Sequence, residues 1–72
     1  MLGEELRRAR EGAEMSQEQL SFRAGLSRPY VSMLERGLKS PTLDVLFRLC
    51  DALDIRASEL IRRVEEARAA GR

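Results

Sequence analysis

The chain is predicted to be all-α, a compact five-helix bundle. Three observations carry the prediction. Apolar residues recur at three-four spacing, and strand-type alternation is missing. Leu, Ala, Arg and Glu dominate, while aromatic residues make up 4% of the chain. Capping and stop signals fall where the periodicity breaks. With 72 residues it reads as one small domain, 1–72. A chain that short buries only about 60% of its unfolded surface, so it must be compact or gain stability from a partner.

The elements follow in order. Met1 to about Gly12 reads as a helix whose buried face is Leu2, Leu6, Ala9 and Ala13, with Arg7, Arg8 and Glu11 outside it. Glu4 and Glu5 near its start and Arg7, Arg8 and Arg10 later complement the helix dipole. Gly12 to Met15 is a connection in which Met15 points inward as a staple before a cap at Ser16. Ser16 and Gln19 have the spacing of a reciprocal capping box. Leu20 and Ala24 share a face, and Gly25 ends this second helix. Ser27 caps a third helix, with Pro29 in its first turn, where a missing N–H costs nothing. Val31 and Leu34 form its buried seam, Arg28, Ser32 and Met33 face away, and Gly37 stops it. After a loop through Pro41, Thr42 caps a fourth helix with Asp44 in its first turn. Its apolar stripe (Leu43, Leu46, Phe47, Leu49, Cys50, Leu53) is wider than a core needs. Asp54 and Ile55 mark a break. A fifth helix spans about 56–69, with Leu60, Ile61, Val64 and Ala67 on its apolar side. The final residues fray. The second and third helices, joined through one glycine within residues 16–36, fit the helix-turn-helix layout, in which the second helix is presented to the major groove of DNA.

Charge agrees with that layout only when it is resolved along the chain. The net charge is +1, which taken alone argues against a nucleic-acid binder, since such domains often have a pI above 9. Between residues 23 and 39, however, Arg23, Arg28, Arg36 and Lys39 stand against Glu35 alone. Between 41 and 59, Asp44, Asp51, Asp54 and Glu59 outnumber Arg48 and Arg56. The basic end is therefore the proposed reading helix. The chain has no histidine and one cysteine, which excludes zinc sites built from those ligands and any Ser-His or Cys-His catalysis. There is no glycine-rich phosphate loop, and the paired carboxylates Glu4-Glu5 and Glu65-Glu66 lie among arginines on charged faces. The expectation is no enzyme, no metal and no cofactor. No apolar run approaches a membrane span and no signal peptide is evident, so a cytoplasmic protein with Cys50 reduced is expected.

The segments Ser16-Gln17-Glu18, Leu20, Ala24-Gly25-Leu26-Ser27, Val31-Ser32, Leu34-Glu35-Arg36-Gly37, Pro41-Thr42-Leu43 and Ala52-Leu53 together resemble the phage repressor/Cro-type (Xre) helix-turn-helix family. Residues 49–55, with Ala57-Ser58 and the Glu-rich end, further resemble restriction–modification controller proteins. The resemblance implies a lambda-repressor-like fold, a homodimer and a near-palindromic operator. It matches Gln17 to a position that touches phosphate and braces the reading helix. Ser27, Arg28, Pro29, Ser32 and Met33 match positions facing base edges, and Tyr30 one near the groove wall. Arg36, Lys39 and Ser40 match the phosphate-clamping loop, and Arg10 with Glu35 a structural ion pair. The sequence departs from the pattern at Ser21, where a small apolar residue is usual, at Pro29, which shifts base reading toward Arg28, and at Arg56, where a Ser-like cap is usual.

Each residue also has a plainer role. Ser27 serves better as a cap than as a base reader, and Met33 as apolar filler, although a thymine methyl would suit it. Tyr30 either touches DNA or packs. Arg28 either spans a guanine edge or binds phosphate. Cys50 is most simply a small core residue. Phe47, Ile61 and Val64 exceed a minimal core and are expected at the dimer contact, their alternative being core. The reading is a sequence-specific double-stranded DNA-binding transcriptional regulator whose partners are DNA, a second copy of itself and RNA polymerase. Its rivals are an antitoxin- or adaptor-type protein-interaction module and, lacking an aromatic pair for base stacking, a less fitting RNA binder.

Overall fold

A computed structural model describes residues 1–71. The described residues form five helices: α1 Leu2–Gly12, α2 Gln17–Ala24, α3 Arg28–Glu35, α4 Leu43–Leu53 and α5 Ala57–Ala69. The starts of α2, α3 and α4 carry side-chain caps. Ser16 Oγ accepts from the Gln19 N–H at 3.0 Å while Gln19 Oε1 accepts from the Ser16 N–H at 2.8 Å, closing a capping box. Ser27 Oγ accepts from the Tyr30 N–H and Thr42 Oγ1 from the Val45 N–H, both at 3.2 Å.

The ends share one geometry. Gly25 at the end of α2 and Gly37 after α3 adopt left-handed conformations, with φ of 70° and 75°. Glu14 and Asp54 do the same after α1 and α4 without being glycine, at 58° and 56°. There the Met15 N–H donates to Arg10 O (3.1 Å) and the Ile55 N–H to Cys50 O (3.0 Å), which satisfies helix carbonyls that would otherwise be open.

Packing explains which face of each helix is open. α1 lies against α3 and α5, α2 against α3 and α4, and α4 against α5. The main core comprises Leu6, Ala9, Leu20, Ala24, Val31, Leu34, Leu49 and Leu53, and a second group joins Leu46 and Cys50 to Leu60. Ile55 packs against both. Met15 and Leu26 are half-buried against the main core. Because α3 is held chiefly by α1 and α2, its outer side is left uncovered.

Several expectations need correction. Ala13 is exposed, because α1 has already ended and the chain turns there. Leu43 is 66% exposed and belongs to no core group, although Val45 in the same turn packs against the main core and Leu46 is buried. Ser32 and Met33 are half-buried rather than fully outward, because they flank the Val31 and Leu34 seam. Arg56 caps α5 with backbone only, so that helix begins at Ala57. Ser21 fits its buried place by donating its hydroxyl to Glu18 O at 2.8 Å. Glu5, read as a first-turn surface acid, is buried and paired with Arg8 at 3.0 Å. Gly3 has no side chain because α1 meets the end of α3 there: a Cβ would stand 2.5 Å from the carbonyl oxygens of both Leu34 and Glu35.

Candidate nucleic-acid interface

The third helix is a short cylinder whose inner side is apolar and whose outer side is not. Val31, Leu34 and Glu35 are buried, whereas Ser27, Arg28 and Pro29 are exposed, with Tyr30, Ser32 and Met33 half-buried between them. Positions 29, 32 and 33 turn away from the seam at 31 and 34 by the helical period, whereas Ser27 and Arg28 are exposed because they stand at the start of the helix. The Tyr30 ring packs against the main core, so only its exposed part is left for a ligand. Ser27 spends its hydroxyl as an acceptor on the cap. Arg36, Lys39 and Ser40 are exposed on the loop that follows.

One carboxylate fixes where this helix sits. Glu35, in the last turn of α3, accepts from Arg10 Nε at 2.7 Å, Arg10 Nη2 at 3.1 Å and Gln17 Nε2 at 3.0 Å. Arg10 completes its fork by donating Nη1 to Met15 O at 2.8 Å. The side chains are 12% and 3% exposed for Arg10 and Glu35. Three helices and the α1–α2 turn are thereby joined at a single point. The hydrogen bonds to Glu35 raise the Arg10 pKa above its already high ordinary value, against the opposing effect of burial. A bidentate guanidinium–carboxylate contact sets orientation as well as distance. Gln17 is thus a brace, and its place in the first turn of α2 also puts it where helix N–H groups suit an anion.

Charge is partitioned across the molecule. On α1, Arg7 pairs with Glu11 at 3.2 Å and Arg8 with Glu5. On α5, Arg62 pairs with Glu59 (2.6 Å) and Glu66 (2.8 Å), and Arg63 with Glu59 (3.1 Å). Those arginines hold the Glu59 carboxyl below the ordinary carboxylate range. Among the described residues, Arg23, Arg28, Arg36 and Lys39 make no ion pair. Arg48, Arg56 and Arg68 are likewise without an ion pair among the described residues, so what sets α3 apart is that Arg28, Arg36 and Lys39 are exposed together on it and on the loop that follows.

The remaining expected contacts lie elsewhere. Phe47 on α4 is 48% exposed, Ile61 on α5 is 41% exposed, and Val64 is half-buried. Cys50 is buried, and burial pushes its thiol pKa up, which keeps it protonated and unreactive. Among the described residues no group of acids and cysteine could hold a metal ion, and no helix is long and apolar enough to cross a membrane. Sequence reasoning missed Arg48, which reaches from α4 to the end of α2, and Phe22, which is 86% exposed on α2. A lone arginine next to an apolar stripe carried no signal of its partner.

A family model described as helix-turn-helix matches residues 6–60. The uncharacterized HTH-type transcriptional regulator Rv0474 of Mycobacterium tuberculosis is 44% identical over 61 residues, covering 85% of this chain and 44% of the relative. The chain therefore spans less than half of that relative's length. The crystal structure of the restriction-modification controller protein C.AhdI from Aeromonas hydrophila matches at 42% identity with a TM-score of 0.80, over 82% of this chain and 89% of that one. The master regulator for biofilm formation SinR, in complex with DNA, matches at 27% identity and a TM-score of 0.80, over 85% of this chain and 98% of that one. With five helices in this order, a three-helix brace on Glu35 and these matches, the chain belongs to the Cro/C1-type (Xre) helix-turn-helix family.

Proposed function

We propose that the chain is a sequence-specific double-stranded DNA-binding transcriptional regulator, acting as a homodimer on a near-palindromic operator in the manner of restriction–modification controller proteins. The observation that carries this reading is that Arg28, Arg36 and Lys39, exposed and without an ion pair among the described residues, stand on α3 and on the loop directly after it. Arg36 and Lys39 would grip phosphates, which position the protein without reading sequence. Arg28, at the exposed first turn of α3, would span the O6 and N7 of a guanine. Ser27, Ser32, Met33 and the exposed part of Tyr30 are the further proposed contacts to DNA. A dimer would place two such helices about 34–36 Å apart, one turn of duplex. Phe47, Ile61 and Val64 are the proposed dimer contact. Protein concentration would then set occupancy, since dimerisation and operator binding are linked by mass action. RNA polymerase enters as the machinery whose access such a dimer controls.

Selection of bound duplexes from a random pool tests the reading, and a two-fold-symmetric consensus is expected. Affinity for the selected duplex should fall steeply with salt. Arg28→Ala should cost about 1–3 kcal/mol of discrimination at one base pair per half-site, with an unchanged melting temperature because the side chain is exposed. Salt-independent binding, or an asymmetric consensus, would contradict the proposal. A second reading, an antitoxin- or adaptor-type module, draws on the exposed Phe22. It gains if Arg28→Ala leaves DNA affinity intact while a partner protein co-purifies.

A further inference from the structure

α2 and α3 meet at the turn 25–27, and the direction in which α3 leaves it decides where its exposed row points. Two backbone hydrogen bonds close the end of α2, from the Gly25 N–H to Phe22 O (3.2 Å) and from the Leu26 N–H to Ser21 O (2.8 Å). The carbonyls of Ala24 and Gly25, further along the turn, are taken by one side chain from another helix. Arg48 of α4 donates Nε to Ala24 O at 3.0 Å and Nη2 to Gly25 O at 2.8 Å. A planar fork on consecutive carbonyls constrains the turn's orientation, and the cation sits at the negative end of α2. The fit is close: a Cβ on Gly25 would stand 2.7 Å from Arg48 Nη2. Arg48 makes no ion pair among the described residues, although Asp51 follows three positions later on α4. Its chain neighbour Leu49 is wholly buried, so the fork stands on a rigid base.

We propose that Arg48 is a positioning residue for base reading, clamping the α2–α3 turn to α4 and so setting the angle at which α3 meets the groove while touching no DNA itself. The proposal rests on the DNA-binding reading above. It is tested with Arg48→Met, which keeps an apolar stem and removes the fork, and Arg48→Lys, which keeps the charge but cannot reproduce the fork. Both are compared with the unsubstituted chain on a duplex that chain has selected from a random pool and on a shuffled duplex of equal length, with melting followed in parallel. For Arg48→Met, affinity for the selected duplex should fall roughly tenfold, the worth of about one bidentate base contact. Affinity for the shuffled duplex and the salt slope should stay as they were, and Arg48→Lys should recover part of the loss. A salt slope smaller by about one would make Arg48 a phosphate ligand and overturn the proposal. A loss shared equally by both duplexes and matched by lost helix would overturn it too, as a folding defect. Hydrogen exchange without DNA is the second measurement: in Arg48→Met the Leu26 and Tyr30 amides should lose protection while those of Leu6 and Leu60 keep it, and unchanged protection at the turn overturns the clamp. Should the unsubstituted chain select no duplex, the DNA-binding reading falls and the positioning role with it.

Discussion

Arg10 and Glu35 stand 25 positions apart in the chain and 2.7 Å apart in space. Both are nearly out of solvent, so the cost of stripping their hydration is offset only while each has the other. Removing one partner leaves a buried charge, which costs about 3–5 kcal/mol, whereas replacing both with apolar residues of similar volume is often close to neutral. Glu35→Ala should therefore unfold much of the population and abolish DNA binding as a consequence. The double substitution Arg10→Met with Glu35→Leu should recover most of the stability. Urea unfolding of the two variants beside the parent checks this, and a Glu35→Ala chain as stable as its parent would show that the carboxylate is dispensable. Arg28 makes the opposite case. It touches nothing that holds the fold together, so its loss should appear in DNA discrimination and not in stability.

At the scale of an element, the seat of α3 depends on how closely α1 approaches it. Alanine for glycine inside a helix normally stabilises by about 0.5–1 kcal/mol. That gain is expected at Gly12, where an added Cβ meets nothing within 4 Å. At Gly3 the same change drives a methyl into the Leu34 and Glu35 carbonyls, which are backbone and cannot rotate aside. Gly3→Ala should destabilise by roughly 1–3 kcal/mol, the usual cost of overpacking, and displace the end of α3 that carries Glu35. Thermal melts of the two variants should move in opposite directions, and a stabilised Gly3→Ala would show that α1 yields freely. Caps and stops in α2 and α3 were legible because Ser16, Gln19, Gly25 and Ser27 act on neighbours within a few residues. The left-handed stop at Glu14 was not, since nothing in a glutamate announces positive φ.

Across the whole molecule, two surfaces differ in character. Exposed cations stand on α3 and the loop after it, and exposed apolar side chains stand on α4, at Phe47, and on α5, at Ile61, where the dimer contact is proposed. If that contact joins a second copy, Phe47→Lys with Ile61→Lys should shift the chain to monomer in sedimentation. Operator affinity should fall with it, while monomer stability changes by no more than about 0.5 kcal/mol because both sites are exposed. A dimer that survives both changes would place the contact elsewhere. The sequence by itself determined the helices, their order, the caps and the sign of charge on the reading helix, because these depend on period, local hydrogen bonding and residue type. Family resemblance supplied the pairing of Arg10 with Glu35. Only the tertiary structure decided that Gly3 is a contact point, that Glu5 is buried, that Leu43 is not, and that Arg48 holds the turn before α3. Each of those depends on which helix lies across from the residue, and neither spacing nor composition along one strand of chain encodes that distance.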